Sequence, residues 1–303
     1  IIAKKVNLTN TAVNVLTSSH PDTVSHSQTS DTNDLLSPDF GTGIIFEVAE
    51  LEFKDDDFSF HRNTATNPSK FDPSHIALKD IDINLSDIII HRDTLAGALK
   101  HLSAGLPGFQ LTDAGTVVRM NRDLFVLSGL HLASGSNSFR ADLAGPLDLN
   151  SIKAVNHSPL EITAQGRVNP GDLSYFFSDT VMNYFNRWET TELELEGHYT
   201  MGQGAIKVLS LKSGNSQLSV KGLMNEVLDI DKINWKELEV YASMGSAFKE
   251  TLTPFLKTIN IPPDATVQVR SSGNPKRITI DGQVLTSWGD VEVTGLAAQQ
   301  AKN

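Results

Sequence analysis

The stretch TELELEGHYTMGQGAIKVLSLKSGNSQLSVKGLM, residues 191–224, decides the fold. It contains three short runs in which apolar and polar residues alternate, divided by Gly, Asn and Ser. In an extended chain successive side chains point to opposite faces. Leu193 and Leu195 therefore share one face, while Glu192, Glu194 and Glu196 share the other. Ile206 with Val208, and Leu218 with Val220, repeat the pattern. Three half-buried strands joined by turns are expected, each with an apolar and a wetted side.

The stretch recurs. Residues 266–297 and 116–147 have the same build, and the copies open at Thr116, Thr191 and Thr266, a spacing of 75 residues. Val117, then Leu193 and Leu195, then Val267 and Val269 begin the copies. Phe125 and Leu127, Ile206 and Val208, and Ile278 and Ile280 form their centres. Closing strands end on Gly145, Gly222 and Gly295, and the last of these carries Val291 and Val293. Self-similarity at a fixed period marks a repeat architecture, in which each unit packs mainly on its neighbours and an elongated stack results.

The segments between copies also correspond: LEITAQGRVNPGDLSYFF from Leu160 and LEVYASMGSAFKETLTPF from Leu238 each read as a strand followed by a helix. Leu173, Phe176, Phe177, Val181, Tyr184 and Phe185 share one helical face. Met244, Phe248, Leu252, Phe255, Leu256 and Ile259 share another. Asn169-Pro170 is a capped helix start and Pro262-Pro263 a stop. The aromatics Tyr175, Phe176, Phe177, Tyr184, Phe185 and Trp188 either pack on the sheet or gate an apolar groove.

The expected order is N-terminal strands in 1–70 with a polar insertion at about 17–43, repeat units at 71–150, 151–225 and 226–298, and a tail at 299–303. Asp55-Asp56-Asp57 is expected to make a solvated turn; it lacks the alternation, Gly and distal Glu of a calcium loop. Residues 95–102 fit a helix through Leu95, Ala98, Leu99 and Leu102, or a strand through Leu95, Gly97 and Leu99. The fold class is mainly β, an elongated curved antiparallel sheet with a few short amphipathic helices.

The net charge of −11 argues against nucleic acid. The absence of cysteine excludes thiol catalysis, disulfides and cysteine metal sites. No apolar run reaches the roughly 18 residues of a membrane helix, and the start IIAKKVNLTN reads as a strand already under way, as in an internal segment whose anchor or leader lies elsewhere. The histidines show no metal-site spacing; His75 is expected to contact Asp72 locally. No nucleophile, base and orienting group assemble, so no enzyme, metal or cofactor is expected.

At FDPSHIALKDIDINLSDI, residues 71–88, the chain resembles the TamB-like proteins of Bacteroidetes, within the AsmA/TamB superfamily. The runs SGLHLASGSNSFRADL, NPGDLSYFF and INIPPDATVQVRSSGNPKRITIDGQV, closing on VEVTGLA, extend the resemblance from about Leu51 to Ala297. It implies a sheet curled into a repeating β-groove, also called a β-taco, with an apolar interior. It also implies a strand at 95–102, and a periplasmic bridge anchored in the inner membrane of a Gram-negative bacterium and reaching the outer membrane. The implied cargo is phospholipid, with acyl chains sliding along the groove; outer-membrane assembly proteins are the other implied partners. Leu193, Leu195, Ile206, Val208, Leu218, Val220, Val267, Val269, Ile278, Ile280, Val291 and Val293 are the candidate lining, and Val208→Asp is expected to stall passage. The alternatives are a scaffold for outer-membrane protein assembly, lending a sheet edge, and a closed all-β binding domain with a dry core.

Overall fold

The computed structural model describes residues 2–9, 11–17, 45–62, 70–91, 93–146, 159–185, 188–200, 202–226, 233–252, 262 and 264–298. The polar insertion, the link at 63–69, the tail, and Phe255, Leu256 and Ile259 of the second helical pattern lie outside the described residues. The chain divides into two units. One comprises Ile1–Gly135 and Asp172–Ser178; the other comprises Ser136–Gly171 and Asp179–Asn303.

The first unit contains β1 (Ile2–Thr9), β2 (Ala12–Thr17), β3 (Phe46–Arg62), β4 (His75–His91), β5 (Thr94–Leu106), β6 (Phe109–Leu111), β7 (Asp113–Met120) and β8 (Leu124–Ser134). β3 pairs antiparallel with β4, β4 with β5, β5 with β6 and β7, and β7 with β8. β1 and β2 break the expected all-antiparallel pattern: both run parallel to β3, β1 beside Glu47–Lys54 and β2 beside Asp57–Arg62. The sheet of this unit is therefore mixed. The segment at 95–102 is strand, inside β5.

Asp55-Asp56-Asp57 does not make a turn. The run lies inside β3, where the register to β4 shifts between Phe53 and Phe58 and Asp55 takes a φ of 55°. A bulge frees backbone donors, and short acidic side chains capture them. Asp82 Oδ1 accepts from the Asp55 amide at 2.9 Å and Asp57 Oδ1 from the Asp80 amide at 3.2 Å. The buried Asp56 carboxylate accepts from the amides of Lys54 and Thr11, and so holds the start of β2 against β3.

The second unit is an antiparallel meander: β9 (Asn137–Pro146), β10 (Leu160–Val168), β11 (Thr191–Thr200), β12 (Gln203–Ser213), β13 (Ser216–Asn225), β14 (Asn234–Ser243), β15 (Thr266–Asn274), β16 (Arg277–Thr286) and β17 (Gly289–Ala298). Each strand pairs with the next in sequence. The alternating runs of the second and third copies thus become the hairpins β11–β12–β13 and β15–β16–β17. Two-residue connections at Gly214-Asn215 and Ser287-Trp288 serve them, and Gly214 takes the positive φ of 55° that a tight turn asks for.

The expected first helix is broken into a 3-10 turn, Pro170–Leu173, and a short α1, Asp179–Tyr184. Its aromatics divide accordingly. In the first unit, Phe176 packs against Phe71 and Phe109 at ring centroid distances of 5.5 and 4.8 Å, and the Phe71 amide donates to Tyr175 O at 2.8 Å. In the second, Trp188 packs on Phe248 of α2 (Ser246–Leu252) at 5.3 Å. The molecule is mainly β, with open sheets and few short helices. No helix among the described residues is long and apolar enough to cross a membrane.

Candidate functional site: the apolar face of the second unit

Register determines which side chains share a face. One row across the second unit runs Phe139, Gly166, Leu193, Leu211, Leu218, Ala242, Val267, Val284 and Val291. The next runs Ala141, Ala164, Leu195, Leu209, Val220, Val240, Val269, Gly282 and Val293. Ile206 lies one row further, between Gly197 and Gly222, and Ile280 lies there between Ser271 and Gly295. Ile278, opposite Gly273, is one row beyond that. These residues come from nine strands and form one continuous apolar surface.

Val208 does not belong to it. A bulge in β12 places Ile206 opposite Gly197 but Val208 opposite Glu196 and Leu209 opposite Leu195. The extra residue flips the alternation, so Leu209 and Leu211 continue the apolar rows, while Lys207 and Val208 fall on the other side. Lys207 Nζ donates to Glu196 Oε1 at 2.6 Å, and that bond raises the Lys207 pKa above its ordinary value. Sequence reasoning missed Leu209, Leu211, Val240 and Val284. The adjacent apolar pair Val208-Leu209 was the available signal, because an uninterrupted strand would alternate there.

The far end of the surface is covered. Met244, Ala247, Phe248 and Ala265 form a buried cluster on Leu211, Leu218 and Trp188. Trp188 Nε1 donates to Thr251 Oγ1 at 2.8 Å, and the Phe248 amide donates to the fully buried Ser216 Oγ at 3.3 Å. At the other end Tyr199 is buried beside Leu160 and Gly204, and burial raises its phenol pKa. Between these ends Leu193, Leu195, Leu209, Val220, Val240 and Val269 are only half-buried.

The opposite face is charged and internally paired. Arg270 donates to Glu239 at 3.0 Å and Gln283 to Gln268 at 3.0 Å. Two open clefts, of about 660 and 510 Å³, lie over this face. Lys221, Glu239, Arg270 and Asp281 line one; Arg140, Glu192, Glu194 and Lys212 line the other. Phe139 and Leu193 also reach the second cleft, and Val240 and Val269 the first.

In the first unit His75 Nδ1 meets Asp72 Oδ2 at 2.9 Å, the local contact expected from the sequence. Asp113 lies between His101 Nδ1 at 2.7 Å and His131 Nε2 at 3.2 Å. Among the described residues no group of three or more such side chains could hold a metal ion. No protein-family model, curated protein or solved structure matches the chain.

Proposed function

We propose that the chain is a segment of a periplasmic lipid bridge of the TamB-like kind, in which phospholipid acyl chains lie along the apolar face of the sheet and head groups remain in water. The observation that carries this reading is the pair of apolar rows crossing nine strands with their central side chains only partly buried. A sheet with one apolar face must bury it against something. Each methylene taken from water contributes about 0.8 kcal/mol, so a dozen supply about 10 kcal/mol before ordering costs. The rows offer no fixed polar anchor between Leu193 and Val269. That suits passage of many similar chains better than retention of one.

A phospholipid carrying a photoreactive group on its acyl chain tests this directly. Labelling of β11 to β15 at the apolar-row residues is expected. Labelling confined to the charged face, or none at all, would overturn the reading.

A further inference from the structure

We propose that the Tyr199 hydroxyl and the Glu226 carboxylate of the second unit bind a primary ammonium group between them. Its source is the head group of an aminophospholipid whose acyl chains lie on the apolar rows. That source rests on the function proposed above; the ammonium site itself does not.

An unpaired hydroxyl supplies the first argument. Tyr199 lies on the same strand face as Leu193 and Leu195. It is 5% exposed, its hydroxyl oxygen is buried, and among the described residues that oxygen has no hydrogen-bond partner. Buried polar groups are as a rule paired, so this exception calls for a partner from outside the chain.

A carboxylate beside it supplies the second. Glu226 follows β13 with a φ of 53°, and its amide donates to Gly202 O in the β11–β12 turn at 2.6 Å. Its side chain folds over that turn: a Cβ on Gly202 would lie 3.2 Å from Glu226 Oε1. Tyr199 stands on the same hairpin, opposite Gly204. Burial first, and the Glu226 charge second, raise the phenol pKa. The carboxylate therefore acts on the phenol although no hydrogen bond joins them. Among the described residues no cationic side chain pairs with Glu226.

The two groups select their ligand. A phenol oxygen and a carboxylate both accept, and a primary ammonium donates to both while offsetting the charge of Glu226. An anion would meet Glu226 with like charge, and a quaternary ammonium has no N–H to give. Leu160 and Met224 share the row of Tyr199, and Ile162 and Ile206 lie in the row beside it. The apolar surface thus runs up to the phenol and gains there the polar anchor it lacks between Leu193 and Val269.

The test uses the whole chain and follows three probes by calorimetry: dihexanoyl phosphatidylethanolamine, dihexanoyl phosphatidylcholine and free ethanolamine. The ethanolamine lipid is expected to bind about fivefold tighter than the choline lipid, the effect of about one hydrogen bond. Tyr199→Phe and Glu226→Gln are each expected to bring the two lipids to equal affinity. The urea midpoint of Tyr199→Phe is expected to be no lower than that of wild type, because the hydroxyl gives up no partner within the chain. A lower midpoint, equal affinities in wild type, or a preference that survives both substitutions would overturn the proposal. If neither lipid binds, the lipid function fails. Ethanolamine that still binds, and is lost in Glu226→Gln, then keeps the ammonium site with a soluble amine as its source; ethanolamine that does not bind overturns the site as well.

Discussion

Leu209 of β12 lies directly opposite Leu195 of β11, and the residue before it, Val208, lies opposite Glu196. One bulge thus separates two adjacent apolar residues onto different faces. Leu209→Asp inserts a carboxylate into the apolar rows and is expected to cost roughly 1–3 kcal/mol in urea unfolding. Val208→Asp, among charged neighbours, is expected to cost less than about 1 kcal/mol. Equal losses would contradict the assigned faces.

The helical cap depends on Phe248, which is 8% exposed and packs on Trp188. Phe248→Ala is expected to destabilise the second unit by about 3–5 kcal/mol. Thr251→Val removes the acceptor for Trp188 Nε1 and is expected to cost about 1 kcal/mol. Tryptophan fluorescence during urea unfolding reads both changes.

Equivalent glycines are expected to respond differently. An added Cβ on Gly222 would stand 2.7 Å from Glu237 O as well as against Leu238, so Gly222→Ala is expected to cost roughly 1–3 kcal/mol. Gly295→Ala meets open space and is expected to be close to neutral. Thermal melts of the two variants compare them directly.

Acid sensitivity has a defined sign. Hydrogen bonds from His75 first, and then from the Ser74 amide, lower the Asp72 pKa. Protonation of Asp72 breaks those bonds. Their contribution is therefore complete above the ordinary carboxylate range and is lost as pH falls through the depressed folded value. The hydrogen bonds from Ser287 lower Asp264 in the same direction in the second unit. Between pH 6 and pH 3 the urea midpoint of wild type is expected to fall more than that of Asp72→Asn.

Alternation made most of the second unit legible before its structure: β11, β13, β15, β16 and β17 follow the runs through Leu193, Leu218, Val267, Ile278 and Val291. The bulge at Lys207-Val208 escaped because Ile206 and Val208 satisfy a period of two on their own. Only pairing with Glu196 and Gly197 reveals the change of phase. The three aspartates at 55–57 have turn composition, yet they sit at a bulge inside β3, because residues 27 and 23 positions away supply partners to the Asp55 amide and the Asp57 carboxylate. The parallel pairing of β1 and β2 with β3 leaves no local trace, since strand direction is a property of the partner and not of the run. The aromatic stretch from Tyr175 to Trp188 has helical spacing, but tertiary contacts to Phe71, Phe109 and Phe248 break it into short pieces.

The lipid reading stands or falls on what the apolar rows carry. Purified chain, extracted with organic solvent, is expected to yield phospholipid by mass spectrometry at near one per chain. Val220→Thr, which keeps shape but adds a hydroxyl to the row, is expected to lower that ratio. Val208→Thr, on the charged face, is expected to leave it unchanged. A folded chain that yields no phospholipid, or equal yields from both variants, would contradict the lipid-carrying face.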